Sequence, residues 1–316
     1  KGLTTIVKDV PLEWNLEAMQ FGIYDRSKVV AVLTDFEFFS IVPRVPNNLG
    51  ESFVLQGELD IASIDHQETE HILVDTTDSL ESMKSEISTA RGFAFKVETD
   101  SNDPMEASLI GISLSNRVSQ GWYLPVGHDE GRQLSLNAVM ESLKCVFEDE
   151  MIPKIAHQAN FEMMVLENHG VKIRNFTFDT MLAAHVLGFR AIDLQELALE
   201  CLHKELTPIA SLLGTGRNRI TMAQVSIDKA AKYGSHNAVA ILELHRTLSE
   251  EIANKKMTGT LNHVELPLVP VLVRMQLNGV ALDVDLLKRM SANLSAKLSL
   301  LENEMYDSIG HEFNIK

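Results

Sequence analysis

The chain has 316 residues, enough for one large domain or two ordinary ones with a well-filled core. It carries 44 Asp and Glu against 28 Lys and Arg, a formal charge of −16. That balance argues against a free-standing duplex-DNA binder, whose affinity rests on a basic face that neutralises phosphates.

Apolar runs such as Leu266 to Val273 are short and interrupted by proline, so no bilayer span is expected, and no basic, apolar, small-residue N-terminus suggests a signal peptide. Cys145 and Cys201 fall in helix-like segments and predict two buried, reduced thiols rather than a disulfide or a zinc site. The chain starts and stops in mid-pattern, which predicts a segment of something longer.

In chain order, Val29, Val30, Leu33, Phe36 and Phe38 suit a short amphipathic helix. Residues 43–68, with Pro43, Pro46, Asn47, Asn48 and Gly50, predict a linker. The stretch HILVD then predicts a strand, and a helix starts at Asp78 or Ser79. GFAFKVET alternates like a strand, and ASLIGISLS with GWYLPV predicts an antiparallel meander. SLNAVMESLKCVFEDE is helical, PKIAHQ is a short strand, and NFEMMVLENHG is a helix ended by Gly170.

After Phe176 the pattern is nearly all helical, over 178–188, 193–203 and 226–253. Strands followed by a helical half predict an α/β domain of about 180 residues. Two further helices meet at Asn278 and Gly279. The second, from Asp283 to about Ile309, places Leu286, Leu287, Met290, Leu294, Leu298, Leu301 and Met305 on one apolar seam that calls for a packing partner.

Four stretches, in order, resemble family A DNA polymerases of the bacterial polymerase I type. They are DVPLEWNLEAM, GFAFKVETD, FTFDTMLAAHVLG and ELPLVPVLVRMQLNGVALD. The resemblance implies residues 1–42 as the end of a 5′ nuclease region, 43–68 as linker, 69–255 as a 3′→5′ exonuclease domain and 256–316 as the first helices of the polymerase domain. It also implies an α/β, ribonuclease-H-like fold with a mixed central sheet. The parent would be a DNA-directed DNA polymerase of replication and repair, magnesium-dependent, cytoplasmic and nucleoid-associated, whose polymerase motifs lie beyond this segment.

In that family the exonuclease holds two divalent metals on four carboxylates, because two hard cations about 4 Å apart need a ring of anionic oxygens. Carried over residue by residue, the site is damaged. The first Asp falls on Lys96, and its companion Glu is kept as Glu98. In KIAHQANFEMM the second Asp falls on Glu162, preceded by Phe161 instead of tyrosine. In YGSHNAVAILELH the tyrosine is kept as Tyr233, but the Asp falls on Asn237.

A lysine in place of Asp changes the local charge by two units. At about 4 Å and an effective dielectric of about 20, unit charges interact by roughly 4 kcal/mol, so Lys96 opposes a metal. It can instead pair with Glu98 or Glu162 as an internal counter-ion. The expectation is a vestigial site at Lys96, Glu98, Glu162, Tyr233 and Asn237 that binds no metal and catalyses nothing, with Glu98 and Glu162 as the remaining weak ligand candidates.

Other readings stand beside this one. Glu98 and Glu162 are also what a solvated surface would carry in so acidic a chain, and Tyr233 is an ordinary core or rim residue. A residual exonuclease would use Glu98, Glu162 and a carboxylate such as Asp100 to recruit one metal. A non-catalytic module would guide single-stranded DNA, with Arg217 and Arg219 of the GTGRNR loop as the contacts. That loop lacks the strand and the lysine–serine pair of a P-loop. His157, His185, His236, His245 and Cys201 have no metal-ligand spacing. The partners implied are DNA through the parent polymerase, weak or no DNA binding by this segment alone, no membrane, and the remaining polymerase domain against the C-terminal helices.

Overall fold

A computed structural model describes residues 24–36, 38, 41–45, 69–216 and 219–315. The expectations placed on 1–23, on most of the linker and on Arg217 lie outside the described residues. The chain divides into two compact units, 1–273 and 274–316.

The first unit is built on a six-stranded mixed sheet: β1 (Glu70–Leu73), β2 (Phe93–Thr99), β3 (Leu109–Arg117), β4 (Gln120–Pro125), β5 (Lys154–Ala156) and β6 (Phe176–Asp179). Their order is β1-β4-β3-β2-β5-β6. The β2–β3 and β3–β4 pairs are antiparallel; β1–β4, β2–β5 and β5–β6 are parallel. The helices of this unit are α1 (Arg26–Asp35), α2 (Thr77–Ser88), α3 (Leu136–Phe147), α4 (Ala159–Asn168), α5 (Thr180–Leu187), α6 (Leu194–Leu202), α7 (Ile209–Leu213), α8 (Ile227–Asn254) and α9 (Thr258–Thr260). After α9 come a π-helical turn, Leu261–Glu265, and α10 (Leu266–Asn278), which runs past the division between the units.

Local signals set the boundaries. Thr76 and Ser79 form a reciprocal capping box at the start of α2, one residue earlier than the sequence suggests. β6 is a strand that the helical reading after Phe176 missed. It has only four residues, and its sequence runs straight into α5, so no turn residue separates the two elements.

The alternation of β2 sends neighbouring side chains to opposite faces. Phe93 and Phe95 meet Phe147 of α3 edge-on, with ring centroids 5.3 and 5.1 Å apart. Ala94, on the other face, joins a core of α5, α6 and α8 residues that includes Ala184, Leu197, Ile241 and Leu244. Lys96 and Glu98 share that second face, under α8.

α8 lies close to the sheet because glycine is present on both sides. A Cβ on Gly234 would stand 2.1 Å from Ser113 Oγ, and one on Gly121 would stand 2.8 Å from the Ser235 carbonyl oxygen. This contact brings the α8 side chains down onto β2 and β3.

In the second unit, Asp283 caps α11 (Val284–Ile309) by accepting from Leu286 N–H at 2.8 Å. The expected seam is there, with Leu286, Leu287, Met290, Leu294, Leu298, Leu301 and Met305 all exposed. No helix among the described residues is long and apolar enough to cross a membrane. The cysteine expectation needs correcting: both thiols are free, but Cys145 is exposed and Cys201 half-buried, because Cys145 falls on the outer side of α3.

Candidate functional site

Three elements bring the five expected residues together. β2 contributes Lys96 and Glu98 two positions apart, hence on one face. α4 contributes Glu162 from its first turn. α8 contributes Tyr233 and Asn237, four residues apart and hence on one face of the helix, the face toward the sheet. Glu98, Glu162, Tyr233 and Asn237 are all buried, at 4%, 1%, 5% and 1% relative exposure, so the reading of the two glutamates as solvated surface is overturned.

The pairing is asymmetric. Lys96 Nζ donates to Glu162 Oε1 at 3.1 Å, and the Val97 backbone N–H donates to Glu162 Oε2 at 2.6 Å. Both Glu162 oxygens are therefore held from the β2 side. Glu98 Oε1 has no hydrogen-bond partner, nor has the buried Asn237 Nδ2. Of the two possible counter-ions, Lys96 has taken Glu162.

The proton distribution follows. Burial pulls the Lys96 amine down, but the carboxylates of Glu162 and Glu98 outweigh it, and its pKa ends above the usual lysine value. Burial raises Glu162 against the pull of Lys96 and the Val97 N–H. Burial also drives Glu98 up to about 7, with Lys96 lowering it and Glu162 raising it. Lys96 and Glu162 are the ionised pair, and Glu98 holds the proton near neutrality. His157 lies alongside, its Nδ1 2.9 Å from Thr180 Oγ1; burial and then the Lys96 charge push it down to about 3, so it stays neutral.

This distribution makes a sign-definite prediction. Between pH 4.5 and about 7 the folded protein keeps a proton on Glu98 that an unfolded chain has released. The contribution to stability is present in full below 4.5 and is lost as the pH rises through 7, a fall of about 3 kcal/mol. His157 acts in the opposite sense, destabilising the fold as it is forced to charge in acid. A comparison of wild type with Glu98→Gln by urea unfolding across this range cancels the His157 effect. The stability gap is expected to shift by about 3 kcal/mol in favour of the variant as the pH rises; a constant gap would mean that Glu98 ionises as it does in the unfolded chain.

A carboxylate that the sequence reading did not single out is central to the frame. Asp179, at the end of β6, accepts from four backbone N–H groups: Gln158 at 3.2 Å, Ala159 at 2.7 Å, Met181 at 2.8 Å and Leu182 at 3.2 Å. It caps the starts of α4 and α5 together and holds Gln158 in a left-handed conformation, φ 62°. This fixes the turn that aims Glu162 at β2. The sequence reading placed Asp179 inside a helix over 178–188, so its role as a cap did not show.

These residues do not fit a pair of divalent metals. With Glu98 ionised, Lys96, Glu98 and Glu162 sum to one negative charge; with it protonated, to zero. Glu162 has both oxygens engaged by donors, Asp179 is saturated by four N–H groups, and Asn237 has an unpartnered amide nitrogen where an oxygen ligand is needed. Asp100 is exposed, its Oδ1 taken by the Ser108 N–H at 2.7 Å. Among the described residues no group of three or more His, Cys, Asp and Glu is placed to hold a metal ion.

The histidines do not converge either. His245 packs edge-on against Phe178 at 4.6 Å, and His185 is exposed. Arg219 is exposed in the loop after α7.

A family model described as 3′-5′ exonuclease matches residues 71–253. DNA polymerase I of Chloroflexus aurantiacus is 31% identical over 340 aligned residues, covering 99% of this chain and 36% of that protein. DNA polymerase I of Pseudomonas aeruginosa is 30% identical over 324, covering 99% and 35%. The chain thus spans about a third of the length of these relatives. In fold it is similar to the POL domain of Pol1 from M. smegmatis, a structure in complex with DNA primer-template and dNTP, with a TM-score of 0.60 at 23% identity over 77% of this chain and 38% of that one.

Proposed function

The chain belongs to the 3′→5′ exonuclease family as carried by DNA polymerase I, and we propose that this representative has lost proofreading and serves as a structural module of its polymerase. The observation that carries the proposal is the Lys96–Glu162 ion pair, 3.1 Å long and with Glu162 1% exposed, and the resemblance implies a metal at this position. An ammonium is a one-charge counter-ion that needs no loading and cannot activate a water, whereas the family's chemistry depends on metal-bound water and a stabilised leaving oxygen.

In this reading residues 1–42 end a 5′ nuclease region, 43–68 link it, 69–255 form the silent exonuclease domain and 256–316 begin the polymerase domain. The rest of the polymerase would cover the apolar seam of α11. DNA would be met through that polymerase, in the cytoplasm at the nucleoid, with magnesium serving polymerisation only. The fold can be kept after its chemistry because core and site make separate demands on the sequence.

One observation favours a residual, single-metal exonuclease: Glu98 Oε1 is unpartnered and could offer one anionic oxygen when ionised. The −16 charge opposes a strand-guiding module resting on Arg217 and Arg219. Purified protein incubated with an end-labelled single strand and magnesium is expected to leave it full length. Shortening that is magnesium-dependent and stopped by EDTA would refute the proposal.

A further inference from the structure

Arg26, at the start of α1, reaches the loop after α6. Its Nη1 donates to Glu205 Oε2 at 2.5 Å and its Nη2 to Glu205 Oε1 at 2.8 Å, while its Nε donates to the Val45 carbonyl at 3.3 Å. One guanidinium thus ties both ends of the segment 24–45 to the same loop. The two side chains are only 20% and 15% exposed, and Val42, near the far end of the segment, is fully buried.

A forked, planar donor suits this task. It matches a carboxylate with two parallel bonds and keeps a further N–H for a carbonyl, all in one rigid plane. The receiving loop is itself fixed, because Lys204 donates to both oxygens of Glu243 on α8 at 2.8 Å. The chain of contacts therefore runs from α1 through two adjacent loop residues to the helix that also carries Tyr233 and Asn237.

We propose that Arg26 and Glu205 form an intramolecular clasp that seats α1 and residues 41–45 on the exonuclease fold. The clasp does not depend on whether the carboxylate pocket holds a metal.

Hydrogen exchange of the full chain tests the clasp. In Arg26→Glu and in Glu205→Arg, the amides of α1 and of residues 41–45 are expected to exchange about tenfold faster, with β2, β3 and β4 unchanged. The charge-swapped double variant should return them close to the wild-type rate. If a swapped variant fails to fold, as β2–β4 exchange would show, Arg26→Gln removes the fork with a smaller disturbance and should give the same local acceleration. Unchanged exchange at 26–45 in the single variants, or no recovery in the double variant, would overturn the clasp.

Discussion

Lys96→Met is expected to lower the stability of the chain by about 3 to 5 kcal/mol at neutral pH. Methionine fills much of the lysine volume, so the loss does not come from a cavity. It comes from leaving Glu162, 1% exposed, without the ammonium at 3.1 Å. The Val97 N–H still serves Oε2, but one backbone donor does not offset the burial of a full charge, and Glu162 must take up a proton to remain inside. The deficit should therefore shrink in acid, where that proton is freely available. Adding Glu162→Gln should recover part of it, because glutamine keeps an acceptor for Val97 and brings no charge. Urea midpoints of the three proteins decide the matter. A loss below about 1 kcal/mol in the single variant would place this pair with exposed ion pairs, which contribute little.

Asp179→Ala should cost a similar amount, about 4 kcal/mol, by a different route. Four backbone N–H groups lose their acceptor at a position that is 1% exposed. Loss of a single helix cap costs about 1 kcal/mol, and a buried donor left unmade costs about 1 to 3. The four are not additive, because α4 and α5 can fray to reach water. Asp179→Asn is expected to be milder, since one oxygen remains, though its amide must then face at least one N–H. If thermal melting shows Asp179→Ala within about 2 °C of wild type, a shift of no more than about 1 kcal/mol for a domain of this size, the double cap is not holding the two helices. Because Asp179 sets the turn before Glu162, Asp179→Ala should also weaken the Lys96–Glu162 pair. Combined with Lys96→Met, its cost should fall short of the sum.

Much of this was legible in the residues, and what was not has identifiable causes. The meander of β3 and β4, the long α8 and the seam of α11 announced themselves because each keeps one period over many residues. β6 did not, because four residues are too few for a period to show and its last residue is also a helix cap. The site positions could be named from the resemblance, and Lys96 already carried the central inference through its charge alone. Which glutamate the lysine would choose could not be read, since that depends on where α4 starts, and α4 starts where Asp179 holds it. The burial of Glu98 and Glu162 was equally invisible, because α8 covers them only by virtue of Gly121 and Gly234, whose role appears when sheet and helix are placed together. Cys145 shows the same limit in reverse: a thiol in an amphipathic helix reads as buried until the helix is given a face.

The central claim is that an internal lysine has replaced the metals of this pocket, and manganese uptake tests it most directly. A titration of the wild-type chain with Mn²⁺, followed by electron paramagnetic resonance of the free ion, is expected to show no saturable binding up to about millimolar metal, the range of weak cation sites. Lys96→Asp combined with Asn237→Asp, measured alongside, is expected to take up the ion, because it returns two carboxylates and removes the ammonium. Saturable, micromolar binding by the wild type that disappears in Glu98→Gln would contradict the account.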